Sequence, residues 1–186
     1  MTLERLESGP ELEERLTSCL SVERGGWKGR RGTAIAQNRQ VRDFYARLAA
    51  TAAAHGYFSL YCMRLDERII AFQYGLTYGD TYYLPKLAYD ESLSDCSPGM
   101  LLLQDVFLDC MRRGVRTVDF LGDDTEWKRK WAVEARPHHW IFIFSGTRLG
   151  RSLHRAKFRW IPGARRLLAE LGSLIPGRQG TSPAPD

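Results

Sequence analysis

Residues 97–132 read SPGMLLLQDVFLDCMRRGVRTVDFLGDDTEWKRKWA, in which two helical patterns flank a short apolar run. Apolar residues of the first part recur three and four positions apart, which predicts an amphipathic helix from Pro98 to the stop signal at Gly114. Its buried face comprises Leu103, Val106, Phe107 and Cys110. The run VRTVDFLG predicts a strand that ends in the turn Gly122-Asp123-Asp124, after which Thr125 or Asp124 caps a second helix.

Three further strands are predicted immediately before this segment. Tyr57–Leu65, Ile69–Tyr78 and Thr81–Tyr89 are rich in aromatic and β-branched residues and are separated by short polar turns. They should form an antiparallel meander. Pro85 removes one ladder donor from the third strand, which indicates an edge, a bulge or a place where the sheet opens.

The remaining elements lie on either side of this core. Residues 11–21 predict a short helix with leucines four positions apart, and a second helix starts at the cap residue Asn38 and stops at Gly56. The intervening GGWKGRRGTAI predicts a loop that Trp27 anchors on the core. His139–Phe144 predicts a last strand. The expected fold is α/β (α+β), a mixed, mostly antiparallel sheet flanked by helices in the order α-β-β-β-α-β-α-β.

Composition fits one soluble globular domain. The chain has 186 residues, of which 44% are hydrophobic and 26% charged, without an apolar run long enough to cross a bilayer or an apolar signal core. We therefore expect a cytoplasmic protein. Its four cysteines lie far apart and its four histidines lack ligand spacing, so we expect reduced thiols and no metal site.

The positive charge is concentrated at the C-terminal end. Residues 148–186 hold 8 of the 27 Lys and Arg but 2 of the 22 Asp and Glu, which leaves 19 minus 20, or −1, for the rest. The predicted organisation is a domain over residues 1–147, basic amphipathic helices over 148–176 with a break at Pro162-Gly163, and a disordered tail over 177–186. The basic helices suit an anionic membrane surface, the face of a missing domain or, without a supporting motif, RNA.

The order of elements, together with WKGRRGTAI, YLPKLAYDESLSDCSPGMLL and DFLGDDTEWKRKW, resembles the GNAT superfamily of N-acyltransferases. More narrowly, it resembles the FemAB-related branch that includes CelD-type proteins of bacterial cellulose and polysaccharide biosynthesis. The resemblance covers about residues 25–145. Members of this branch commonly carry two GNAT-like halves, and this chain resembles the C-terminal one.

This resemblance implies that acetyl-CoA or another acyl-CoA binds between a splayed strand and the next helix. The implied donor-binding residues are Leu84, Lys86, Leu87, Ser97, Pro98, Gly99 and Met100. A helix start offers free N–H groups and a positive dipole end to a pyrophosphate. Taken alone, however, Ser97-Pro98-Gly99 is equally an ordinary helix start.

The resemblance also implies catalytic and acceptor-binding residues. Asp119 or Asp123 would act as general base, although both also suit a strand-end turn with a helix cap. Tyr89, with Lys86, would hold the donor or protonate the leaving thiolate. The acceptor-binding candidates are Lys128, Trp131, Trp27 and Lys28. Lys128 is equally read as a solvated helix lysine, and Trp131 as core packing against Trp127.

Together these readings predict an acyltransferase that moves an acyl group from CoA to an amine or hydroxyl of an envelope or polysaccharide precursor. Two alternatives are a FemAB-like aminoacyl-tRNA-dependent peptidyl transferase and a non-catalytic half-domain that docks a partner. The expected partners are the small-molecule donor, a second GNAT-like half or a second copy, and a membrane surface touched by residues 148–175. Nucleic acid is not expected as a partner.

Overall fold

The computed structural model describes residues 1–132, 134–137, 139 and 141–162. It divides the chain into two compact units, residues 1–135 and 136–186. The first unit contains one five-stranded sheet in the order β1-β2-β3-β4-β5. Its strands are β1 (Thr2–Leu6), β2 (Phe58–Leu65), β3 (Arg68–Tyr78), β4 (Thr81–Tyr89) and β5 (Thr117–Asp119). All neighbouring strands are antiparallel except β4 and β5, which are parallel.

Helices of the described residues cover both faces of the sheet or lie in the second unit. They are α1 (Leu12–Gly25), α2 (Trp27–Arg30), α3 (Arg39–Ala54), α4 (Pro98–Arg112), α5 (Glu126–Arg129) and α6 (Arg148–Arg155). Short 3-10 turns follow at Ile35–Gln37 and Glu91–Cys96. The Asn38 carboxamide caps α3 by accepting the Val41 N–H at 3.2 Å, and Gly56 ends it at φ +74°.

Alternating residues of β2 build two separate cores. Leu60 and Cys62 face α1 and α3, whereas Tyr61 and Met63 face α4. Each of these side chains is at most 1% exposed. This two-sided burial explains why β2 and β3 read as nearly continuous apolar runs, and it fixes the sheet between two helical layers.

A β-bulge in β4 positions the candidate site. Tyr74 of β3 pairs with Lys86 and Leu76 pairs with Tyr83, so two residues of β4, Leu84 and Pro85, oppose the single residue Gly75. The pairing of β4 with β5 ends at Tyr83, just before the bulge. From Leu84 onward, β4 therefore has a neighbour on its β3 side and an open edge on the other.

The predicted mixed, mostly antiparallel sheet flanked by helices is confirmed, and so are the meander and the irregularity at Pro85. Two local predictions are wrong, and one strand was missed. The edge strand β1 was not predicted, the loop around Trp27 contains α2 and leaves that side chain 48% exposed, and the described residues of His139–Phe144 form no strand. The predicted helix after Pro162-Gly163 and the tail 177–186 lie outside the described residues.

The second unit is described up to residue 162. There α6 is capped by the Thr147 hydroxyl, which accepts the Gly150 N–H at 3.2 Å, and continues into a π-helical turn at Ala156–Trp160. Throughout the described part of the chain, every helix is too short or too polar to cross a lipid bilayer.

Candidate active site

A cavity of about 470 Å³ lies at the open edge of β4. It is enclosed by the end of α1 with α2, by the last residues of β4 with the 3-10 turn after them, by the start of α4, and by Trp127 of α5. Its lining includes Glu23, Gly26, Trp27, Lys28, Leu87, Ala88, Tyr89, Glu91, Ser94, Ser97, Gly99, Met100, Leu103 and Trp127. The cavity thus combines apolar walls with a few polar groups, the usual composition of a small-molecule site.

A buried ion pair connects α1 to the open edge of β4. The Lys28 ammonium donates to the Glu23 carboxylate at 3.0 Å and to the Leu87 carbonyl at 2.9 Å. The other carboxylate oxygen of Glu23 accepts the Ile35 N–H at 2.9 Å, and this side chain is 1% exposed. Because Lys28 retains 23% exposure in the cavity wall, it places a positive charge at the open edge of β4.

The start of α4 forms the opposite wall. Ser97 adopts the left-handed conformation (φ 49°, ψ 49°), and its side chain does not cap the helix. First-turn amides such as that of Gly99 have no acceptor within an α-helix, and they carry the positive end of its dipole. A Cβ on Gly99 would lie 3.0 Å from the Tyr89 ring, so the glycine allows β4 and α4 to approach closely. This wall is suited to an anionic group.

A second carboxylate fixes the α2 side of the cavity. Glu91 accepts the Trp27 N–H at 2.6 Å and the Arg30 guanidinium at 2.6 Å. These two donors, Arg30 foremost, lower the pKa of Glu91 below its usual value. Gly29 is required in this turn because a Cβ there would lie 1.7 Å from the Arg24 carbonyl oxygen. The short α2 is therefore tied to the cavity by Glu91.

Lys128 holds together the turn that follows β5. Lys128 donates to the carbonyls of Leu121 and Asp123, while Asp119 accepts the Leu121 N–H at 2.8 Å. Partial burial lowers the pKa of Lys128, although three aspartates oppose this shift. Leu121 has a positive φ of 52°, which these bonds stabilise. The arrangement is a closed turn.

The structure brings part of the predicted site together. Leu87, Tyr89, Ser97, Gly99, Met100, Trp27 and Lys28 all line the cavity. Asp119, Asp123, Lys128 and Trp131 are outside this lining, as are Leu84, Lys86 and Pro98. Leu84 lies in the core facing α4, and Pro98 is buried at the start of α4. The Lys86 ammonium lies 5.4 Å from the Tyr45 ring centroid. The Trp131 ring packs edge-on against Phe107 at a centroid distance of 5.3 Å.

Sequence reasoning missed the two glutamates of the cavity. Glu23 lies in an ordinary charged helix segment, and Glu91 lies in a polar loop. Residue type does not distinguish either from a surface glutamate, and the position of Glu91 in its loop gives no spacing signal. One signal was present for Glu23, since it follows Leu12, Leu16 and Leu20 toward the same face of α1.

Comparisons with known proteins identify a family for this chain and solved structures of similar fold. A family model described as an acetyltransferase (GNAT) domain matches residues 3–129. A search of curated proteins found no significant match. An aminoglycoside acetyltransferase from an uncultured soil metagenomic sample has a similar structure, with a TM-score of 0.55 at 13% identity, covering 77% of this chain and 96% of that chain.

Two other solved structures agree in fold. A GNAT family acetyltransferase of Staphylococcus aureus aligns with a TM-score of 0.54 at 11% identity, covering 77% of this chain and all of the other. A ribosomal-protein-alanine N-acetyltransferase of Brucella melitensis aligns with a TM-score of 0.54 at 10% identity and the same coverages. At such identities the likeness concerns the fold.

Proposed function

Because the chain belongs to the GNAT acetyltransferase family, we propose that it transfers an acyl group from acyl-CoA, bound in the β4–α4 cavity, to an amine or hydroxyl. The observation that carries this proposal is the position of the cavity at the point where β4 loses its β5 neighbour after Tyr83. Acyl-CoA supplies the activated thioester. The resemblance to the FemAB-related, CelD-type branch supports an envelope or polysaccharide precursor as acceptor.

The residues present suit the two ends of this donor. Open-edge backbone groups at Leu87 and Tyr89 can pair with the amides of a pantetheine chain as a neighbouring strand would. The first turn of α4 offers the Gly99 N–H and the positive end of the helix dipole to a pyrophosphate. The Met100 and Leu101 N–H groups already donate to the Ser97 carbonyl. The cavity volume falls within the range of small-molecule sites, roughly 300–1,000 Å³.

Lys28 is our candidate for electrostatic stabilisation of the reaction. Its ammonium bonds to the Leu87 carbonyl, so it lies at the edge along which the thioester is proposed to bind. A fixed positive charge there favours the negative charge that develops on a thioester oxygen under attack. Glu23 is a positioning residue, because its buried carboxylate holds Lys28 in place.

Tyr89 remains the proposed proton donor to the leaving thiolate, since it lines the cavity against Gly99. Asp119 and Asp123 remain sequence predictions for the general base. The carboxylate of Asp119 is engaged with the Leu121 N–H, and both residues lie outside the cavity lining. We further propose that a second GNAT-like half or a second copy completes the acceptor side, as the FemAB-related resemblance suggests.

Titration calorimetry with CoA and acetyl-CoA tests the donor site. We expect binding by the unaltered chain and at least about tenfold weaker binding by Gly99→Val, because the added side chain displaces the Tyr89 ring from the cavity wall. Gln104→Val, on the exposed face of the same helix, is the matched control and should bind normally. Normal affinity of Gly99→Val, or no CoA binding by the folded unaltered chain, would contradict the proposal.

A further inference from the structure

We propose that residues 136–162, hereafter the basic unit, dock on an anionic lipid surface. The charge of this region has one sign, since residues 136–162 contain six Lys and Arg and no Asp or Glu. Along α6, Arg148, Arg151 and Arg155 recur three and four positions apart and therefore share one side of the helix. A surface of this kind attracts anionic head groups.

Apolar side chains are exposed beside these arginines. Leu149 and Leu153 lie one turn apart on α6 and are 69% and 53% exposed. Trp160, in the turn that follows, is 60% exposed. Leucine and tryptophan next to arginine are typical of helices that lie in the head-group region of a bilayer.

The segment that precedes α6 presents a second apolar surface. Phe142 and Phe144 turn toward the helix, where their rings lie 5.5 and 6.1 Å from that of Phe158. The alternate residues Ile141 and Ile143 turn outward and are 82% and 92% exposed. The ring contacts therefore hold this segment so that Ile141 and Ile143 face solvent.

Among the candidate occupants, an anionic bilayer matches both the arginines and the exposed apolar side chains. A polyanion such as RNA would use the arginines but gives the exposed isoleucines and leucines nothing to bury against. A second copy of the basic unit would bring two positive surfaces together. An anionic bilayer provides negative charge at its surface and a hydrocarbon boundary beneath it.

Vesicle sedimentation with the full chain tests this inference. We expect binding to phosphatidylcholine vesicles containing about a third phosphatidylglycerol, little binding to pure phosphatidylcholine, and marked weakening at about 0.5 M salt. Replacing both Ile141 and Ile143 by serine should weaken binding about tenfold. Replacing both Arg148 and Arg151 by glutamine should weaken it about twenty-fivefold, or about fivefold for each charge. Met111→Ser, exposed in the first unit, is the matched control.

Three results would overturn the inference: no binding to anionic vesicles, equal binding to both vesicle types, or unaltered binding by the isoleucine variant. Self-association that the isoleucine variant abolishes, without vesicle binding, would instead assign the surface to a second copy. Because CoA titration reports on the first unit separately, failure of lipid docking leaves the proposed acyl transfer untouched.

Discussion

Replacement of Glu23 by alanine should destabilise the protein substantially, although this glutamate lies in a charged helix segment. The change removes the acceptor of the buried Ile35 N–H, and an unsatisfied buried amide costs about 1–3 kcal/mol. Loss of the pair with Lys28 adds at most about 1 kcal/mol, because that ammonium is partly exposed and keeps the Leu87 carbonyl. We expect a total loss of about 1–4 kcal/mol in the free energy of unfolding.

Urea unfolding measures this loss as a lower midpoint at an unchanged slope. Glu23→Gln retains an oxygen for the Ile35 N–H and should cost about half as much. Glu14→Ala, at an exposed position of α1, is the matched control and should change stability by less than about 0.5 kcal/mol. The reasoning is refuted if Glu23→Ala behaves like this control, or if the glutamine variant is as unstable as the alanine variant.

Gly75→Ala should cost at least about 2 kcal/mol in thermal or urea unfolding, because its Cβ would lie 2.2 Å from the buried Tyr82 ring; an unchanged midpoint would contradict the bulge geometry. Lys128→Met should lower stability by about 1–2 kcal/mol and leave CoA affinity unchanged, whereas weaker binding at full stability would indicate a substrate-binding lysine. Arg30 lowers the pKa of Glu91 in the folded protein. The Glu91 carboxylate therefore stabilises the fold fully above the pKa that it has in the unfolded chain, and this stabilisation is lost as the pH falls through the lowered pKa of the folded protein. Glu91→Gln should therefore flatten the acid dependence of stability between about pH 3 and 5, and an unchanged acid limb would contradict this.

Much of the fold could be predicted because its central elements carry strong local signals. The meander strands are aromatic and β-branched, and α4 has a proline start, a one-sided apolar pattern and a glycine stop. The strand β1 was missed because it is five residues long and contains Glu4 and Arg5, as an edge strand can. The segment His139–Phe144 has strand propensity, but propensity forms a strand only where a neighbouring strand supplies hydrogen bonds.

The candidate site was predictable only where a local conformation marks it. Ser97-Pro98-Gly99 and Pro85 are local signals, and the residues near them do meet at the cavity. By contrast, the burial of Glu23 depends on how α1 packs against β4 and the Ile35 turn, which are remote in sequence. Asp119 is the opposite case. Its position at the end of a strand suggested a catalytic residue, whereas in the structure its carboxylate accepts the Leu121 N–H and closes the turn.

The bulge at Leu84–Pro85 has a consequence for how this family can diverge. The open edge of β4 beyond it presents main-chain groups to the cavity, and every amino acid supplies the same main-chain carbonyl and, except for proline, the same amide. If the proposed donor binds along this edge, side chains there can be exchanged during evolution while its main-chain contacts stay the same. Chains that share 10–13% identity over three quarters of this one can then retain a common fold. Recognition of such proteins depends on where the backbone opens more than on any fixed string of residues.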